Sequence, residues 1–174
     1  MAVRSLTPHV SVEEYLRSSY EPDCDYVNGR LEERNLGEFD HARVQGLIYA
    51  WLFSHEQEWG IVTLPEQRVQ VSASRYRVPD ICVLGAAAPR EQIILTPPLI
   101  CIEVLSPEDR LNRAQLRAFD YVRMGVPNVW LVDPGARKGY AYRDAGWVEP
   151  EDATFSVAGT PIRVRLSEIF GRLG

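Results

Sequence analysis

The stretch Leu99-Ile100-Cys101-Ile102-Glu103-Val104-Leu105-Ser106 is the most apolar run in the chain, and one charge, Glu103, sits inside it. Its length and its apolar neighbours on both sides mark a buried strand. A lone carboxylate in such a place is costly unless it is paired or holds a metal. The run V-P-D-I-C-V-L (78–84) has the same form, an apolar strand entered through Pro79 and interrupted by Asp80. Each acid alone has an ordinary explanation: Asp80 as a strand-end acid bonding the backbone, Glu103 as the partner of a nearby arginine. Two acids on adjacent apolar strands can also point into one cleft. A hard cation such as Mg²⁺ takes such oxygens together with water and substrate phosphate.

Outward from these strands the chain alternates helix and strand signals. S-V-E-E-Y-L-R-S-S (11–19) predicts a short helix, with Ser11 as N-cap and Glu14 completing a capping box. Residues 21–35 predict a hairpin turning at Asn28-Gly29. A long helix is expected over 39–58, capped by Asp40 and ended by Gly60, with Val44, Leu47, Ile48, Trp51 and Leu52 at helical spacing. Residues 61–73 read as a strand and 88–98 as a loop. A second long helix is expected over 107–125, packing through Leu111, Ala114, Leu116, Ala118, Phe119 and Val122 and stopped by Gly125. V-P-N-V-W-L-V-D-P (126–134) then reads as a strand and 139–150 as a hairpin. A final strand and short helix close the chain. The expected architecture is α/β: a central mixed sheet flanked by helices, built as one domain over residues 1–174.

Bulk properties narrow the class. The 174 residues suit one substantial core, and 45% apolar with 25% charged residues is ordinary globular composition. No apolar run reaches a membrane span, and the N-terminus lacks the apolar core of a secretory signal. Cys24, Cys82 and Cys101 form no zinc-type spacing and fit a reducing cytoplasm. A net charge of −5 argues against tight, indiscriminate nucleic-acid binding, although metal-holding acids and a local arginine cluster can coexist with it. Lys138 is the only lysine, so cationic chemistry rests on arginine. Glu32-Glu33-Arg34 reads as a charged strand edge that discourages pairing with another chain.

Pro79-Asp80, then Glu103 in I-E-V-L-S-P, then a helix leading to Tyr121-x-x-x-Gly125-Val126 and W-L-V-D-P, resembles the PD-(D/E)xK nuclease superfamily. More closely it resembles the Uma-two family of restriction-endonuclease-like proteins. The resemblance runs from S-V-E-E-Y-L through the Y-V-N-G-R-L hairpin and Asp40-His41 to W-L-V-D-P. It implies a restriction-endonuclease-like fold and a divalent-metal site for Mg²⁺ or Mn²⁺. Asp80 and Glu103 would be the ligands, with the Val104 carbonyl beside them. The superfamily's lysine commonly follows the second acid by two residues, where this chain has Leu105. In the Uma-two pattern it sits on the next helix, where this chain has Arg117, and the acid one turn earlier is replaced by Arg113. Arginine keeps the charge and can neutralise a developing phosphate charge, but it cannot act as a base. His41 stands where the family commonly carries a histidine, either as ligand, base or phosphate contact or simply as a capping or packing residue. Gln45, one turn later, can reach the same place.

Three functions from different classes follow. One is a Mg²⁺-dependent DNA endonuclease using Asp80, Glu103, Arg117 and His41. Another is a catalytically impaired nuclease-fold protein that binds nucleic acid or assembles with partners. The third is an interaction protein without nucleic acid. Cutting both strands of a duplex favours a homodimer, for which the aromatic hairpin 139–150 offers apolar contact.

Overall fold

The computed structural model describes residues 9–34, 37–107 and 111–174. Helix α1 (Val12–Arg17) starts where expected, with the Ser11 hydroxyl accepting a bond from the Glu14 amide at 3.1 Å. Strands β1 (Cys24–Val27) and β2 (Arg30–Glu33) form the expected hairpin. Both of its turn residues take positive φ, 50° at Asn28 and 85° at Gly29, as a two-residue primed turn requires. Helix α2 (Phe39–Ser54) breaks at His55 before a single turn, α3 (Glu56–Trp59), and Gly60 closes it in the left-handed region. Its N-cap is Glu38, without a side-chain bond, so Asp40 lies in the first turn rather than capping it.

The run 61–73 is two strands rather than one. β3 (Ile61–Pro65) and β4 (Val69–Ser72) enter different sheets, with Glu66 at a positive φ of 49° between them. A short strand, β5 (Arg75–Arg77), precedes the predicted pair β6 (Ile81–Gly85) and β7 (Ile100–Val104). Helix α4 (Leu111–Met124) then leads to β8 (Asn128–Asp133). The expected start of this helix at 107–110 falls largely on residues 108–110, outside the described ones. The hairpin β9 (Lys138–Arg143) and β10 (Gly146–Val148), the pair β11 (Thr154–Ser156) and β12 (Arg163–Arg165), and helix α5 (Leu166–Gly171) complete the order.

The central sheet runs β10-β9-β8-β7-β6-β3, mixed because β7 and β8 are parallel while the other neighbours are antiparallel. Parallel neighbours need a long crossover, and α4 supplies it. Side-chain alternation divides the sheet. Ile81, Val83, Ile100, Ile102, Val104, Trp130 and Val132 pack with Val44, Ile48 and Leu52 of α2 and with Ile169 and Phe170 of α5. The other face, through Cys82, Leu84, Cys101 and Val129, packs with Ala118 and Tyr121 of α4 and with Val69 and Val71. A second sheet, β2-β1-β5-β4, lies beyond β4 and buries Tyr26 and Tyr76 against Tyr15 of α1.

The packing face of α4 is the expected one only at Ala114 and Ala118. Ala114, Ala118, Asp120 and Tyr121 are buried, whereas Leu111, Leu116, Phe119 and Val122 are exposed. The physical reason is that α4 turns its polar groups inward, toward buried charges on the sheets, and small alanines let it approach. The hairpin 139–150 is also less open than expected. Tyr142 and Trp147 pack edge to face at 5.0 Å and are half-buried, and Gln115 of α4 donates to the Ala145 carbonyl.

Candidate active site

Register brings the two acids together. β6 and β7 pair antiparallel with Ile81 opposite Ile102 and Cys82 opposite Cys101. Asp80 and Glu103 each come one residue beyond the last pair, Ile81 with Ile102, where the pairing stops. Side-chain alternation places Glu103 on the face of Cys101, toward α4. Asp80 continues the same parity as Cys82 and Leu84. Both carboxylates are almost fully buried.

Asp80 is held from several directions. Its Oδ2 accepts the Val104 amide at 2.7 Å, tying the mouth of β6 to β7. Its Oδ1 accepts a guanidinium N–H from Arg34, and His41 Nε2 lies 3.6 Å from the same oxygen. Gln45 donates to the Asp80 backbone carbonyl at 3.1 Å. Burial pushes this carboxyl up, but the Arg34 charge and the adjacent His41 outweigh burial and hold it below its ordinary value.

Glu103 has the opposite balance. Tyr121 donates its hydroxyl to Oε1 at 2.6 Å, and Arg117 Nε stands 3.5 Å from Oε2. Burial, with the Asp80 charge adding, pushes Glu103 up to about 7 despite Arg117 and Arg34. Oε2 is buried and, among the described residues, accepts no hydrogen bond. Two neighbouring acids whose environments drive them in opposite directions form a recurring active-site pattern.

Glu33, Arg34, His41, Asp80, Val104, Ser106 and Arg117 surround one small space of about 10 Å³, roughly what a single water needs. Glu103 does not border it; Arg117, which does, lies between that space and the Glu103 contact. His41 is buried, and its Nδ1 lies 3.2 Å from the Ser106 hydroxyl, whose role the sequence did not suggest. Arg113 is exposed and stays away from these groups. The wider groove outside His41, about 420 Å³, is lined by Glu38, Asp40 and Asp133 as well as Phe39 and Leu111. Its described rim is therefore acidic.

Two residues the sequence did not point to are decisive. Arg34 is no exposed edge charge: it folds inward onto Asp80, and Glu32 beside it pairs with Arg77 at 2.8 Å. Arg34 was hidden because a residue just past a strand carries no periodicity that tells inward from outward. Tyr121 served only as a motif marker, yet it is the hydrogen-bond donor to Glu103.

The residues present fit a hard divalent cation. The donors are oxygens, Glu103 Oε2 is a buried acceptor with no donor among the described residues, and Mg²⁺ typically takes one or two carboxylates and keeps several waters. Among the described residues no group of three or more His, Cys, Asp or Glu side chains is placed to hold a metal, so the site has no closed protein cage. Also among them, no helix is long and apolar enough to cross a membrane.

A crystal structure described as "a putative nuclease belonging to DUF820", from Anabaena variabilis, superposes with a TM-score of 0.82 at 22% identity, covering 94% of this chain and 99% of that one. At that identity the likeness establishes the fold: a mixed α/β architecture with a central mixed sheet. No curated protein is similar enough to the chain to match it. The family model described as "Putative restriction endonuclease" matches residues 12–165, nearly the whole length, and the chain belongs to that family, Uma2.

Proposed function

We propose that the protein is a divalent-metal-dependent DNA endonuclease that hydrolyses phosphodiester bonds at Asp80 and Glu103. The observation that carries this reading is that the two buried acids lie one residue beyond the last paired residues of β6 and β7, Ile81 and Ile102, on the same side of the sheet. Family membership, with its nuclease description, points the same way. Asp80, Glu103 and the Val104 carbonyl would hold Mg²⁺ or Mn²⁺. When bound, such an ion polarises a phosphate oxygen and lowers the pKa of water enough to supply hydroxide at neutral pH.

The chain's own groups have separate tasks. Tyr121 fixes the Glu103 carboxylate through its 2.6 Å bond. Arg117, bordering the space, offsets negative charge on the phosphate as it develops, a task an arginine performs without losing a proton. His41, beside Asp80 and Ser106, can hold or pass a proton at Nε2. With acids lining the groove, phosphate contact falls to Arg34 and Arg117, which border the small space that shares His41 and Ser106 with it.

The second reading, a nuclease fold retained for nucleic-acid binding or assembly, is favoured by one observation: arginine occupies position 117, where the family pattern has lysine. Incubation of the purified protein with plasmid DNA and Mg²⁺ or Mn²⁺ decides between them. Cleavage is expected, and Asp80→Ala and Glu103→Ala should each abolish it, while Arg117→Lys should raise the rate. If wild type and Arg117→Lys are both inert while the metal binds, the endonuclease reading gives way to the binding protein.

A further inference from the structure

The Asp80 carboxylate already has a cation. Arg34 follows β2 directly, and its backbone amide donates to the Asp23 carbonyl at 2.9 Å, so the start of its side chain is fixed. The guanidinium reaches Asp80 Oδ1 through Nη2, while the other oxygen is taken by the Val104 amide. Each Asp80 oxygen therefore already accepts one hydrogen bond, and the one on Oδ1 comes from a full positive charge that a metal at that oxygen would meet. The space beside it holds about one water, too little for a hydrated divalent ion. Two further features bear on whether Arg34 can leave: among the described residues its buried Nη1 makes no hydrogen bond, and 14% of the side chain reaches solvent. Arg117 makes the longer approach, 3.5 Å, to the other carboxylate.

We infer that Arg34 is the resident counter-ion of Asp80 in the metal-free protein and that a divalent cation binds only by displacing it. The inference rests on the metal-site reading of Asp80 and Glu103 above. A guanidinium and a dication cannot share one carboxylate oxygen at contact distance without strong repulsion. A charge-assisted bond stabilises the closed arrangement, so metal affinity is set by the difference between two cations at one site. The displaced Arg34 leaves toward the groove, where a substrate phosphate could accept its two N–H groups. Metal and phosphate would then favour the open arrangement together.

The test is Mn²⁺ binding to the full chain without nucleic acid, by isothermal titration calorimetry and water-proton relaxation. Removing the competing charge-assisted bond in Arg34→Gln should tighten Mn²⁺ binding roughly tenfold or more. Arg34→Lys, which keeps the charge, should bind like wild type, and Asp80→Asn should remove the binding in either background. Arg34→Gln should also melt lower than wild type without metal and gain more in Tm from Mn²⁺, which reports the exchange even if the metal-free variant is partly unfolded. Equal or weaker Mn²⁺ affinity in Arg34→Gln overturns the inference, as does no Mn²⁺ binding by any variant. The endonuclease reading fails separately. Intact plasmid with tightened Mn²⁺ binding removes the nuclease and leaves the exchange; cleavage with unchanged affinity does the reverse.

Discussion

Helix α4 serves two buried charge clusters, and they are built differently. Asp120 faces one, where Arg77 spans Asp25, Glu32 and Asp120, and Arg75 adds a second contact to Asp120 at 2.8 Å. Arg117 and Tyr121, its neighbours on the same helix, face the other, with Asp80, Glu103, Arg34 and His41. In the first cluster every acid oxygen that is buried has a donor. Asp25 accepts the Val78 amide at 2.9 Å as well as Arg77, and Asp120 takes a forked bond from the Arg77 guanidinium. In the second, Arg34 Nη1 and Glu103 Oε2 are buried without hydrogen bonds among the described residues. A saturated network fixes how elements sit; an unsaturated one keeps capacity for something else. Buried unmet groups are uncommon in folded proteins and call for a physical explanation.

The contrast breaks first on stability. Arg77→Met leaves Asp25 and Asp120 buried without their shared cation, and breaking a buried pair costs about 3–5 kcal/mol. Urea unfolding should show that loss for Arg77→Met, and clearly less for Arg117→Met, because the Arg117 approach to Glu103 is longer, 3.5 Å, and Glu103 is readily neutral near pH 7. Equal losses at both positions would make the site cluster as structural as the other.

A pH series sharpens it next. Glu103 is raised from 4.5 to about 7, so its neutral form suits the fold better than its charged form. Its contribution to stability is therefore complete below about pH 4.5 and lost as pH rises through about 7. Asp80 is lowered and does the opposite: its contribution is present above its ordinary 3.8 and lost as pH falls. The two acids titrate as a coupled pair. In metal-free protein the Glu103 swing should be on the order of 2–3 kcal/mol across that window. Glu103→Gln should flatten it, and a flat wild-type profile would show that Glu103 is ionised throughout.

The acids of the site were legible because they break apolar strands, and the strands themselves because their runs have the right length. The β6–β7 register was not visible in the sequence, yet it is what brings Asp80 and Glu103 to the same end of the pairing. The cations were mostly illegible. Arg117 was found through the family pattern, but Arg34 and Arg77 lie in segments where charge reads as exposure. The same bias explains the α4 error: hydrophobicity pointed outward at Leu116 and Phe119 because the inward face answers to Glu103 and to Arg77 instead of to an apolar layer.

The smallest effect tests how Glu103 is held. Tyr121 is fully buried, and its hydroxyl has Glu103 Oε1 as acceptor at 2.6 Å. Burial and the neighbouring Glu103 charge keep the phenol well above its usual range, so it remains a donor at any working pH. Tyr121→Phe removes only the oxygen, leaving the ring to fill its place against Ala118 and Val129. The loss is that of one buried hydrogen bond with its acceptor left unmet, about 1–2 kcal/mol. A double-mutant cycle with Glu103→Gln separates a bond to the carboxylate from a general packing change. If the bond is to the charged acid, the cost of Tyr121→Phe should grow with pH through about 7 in wild type and stay constant in Glu103→Gln. Equal costs in both backgrounds at every pH would mean that Tyr121 packs against the sheet without positioning Glu103.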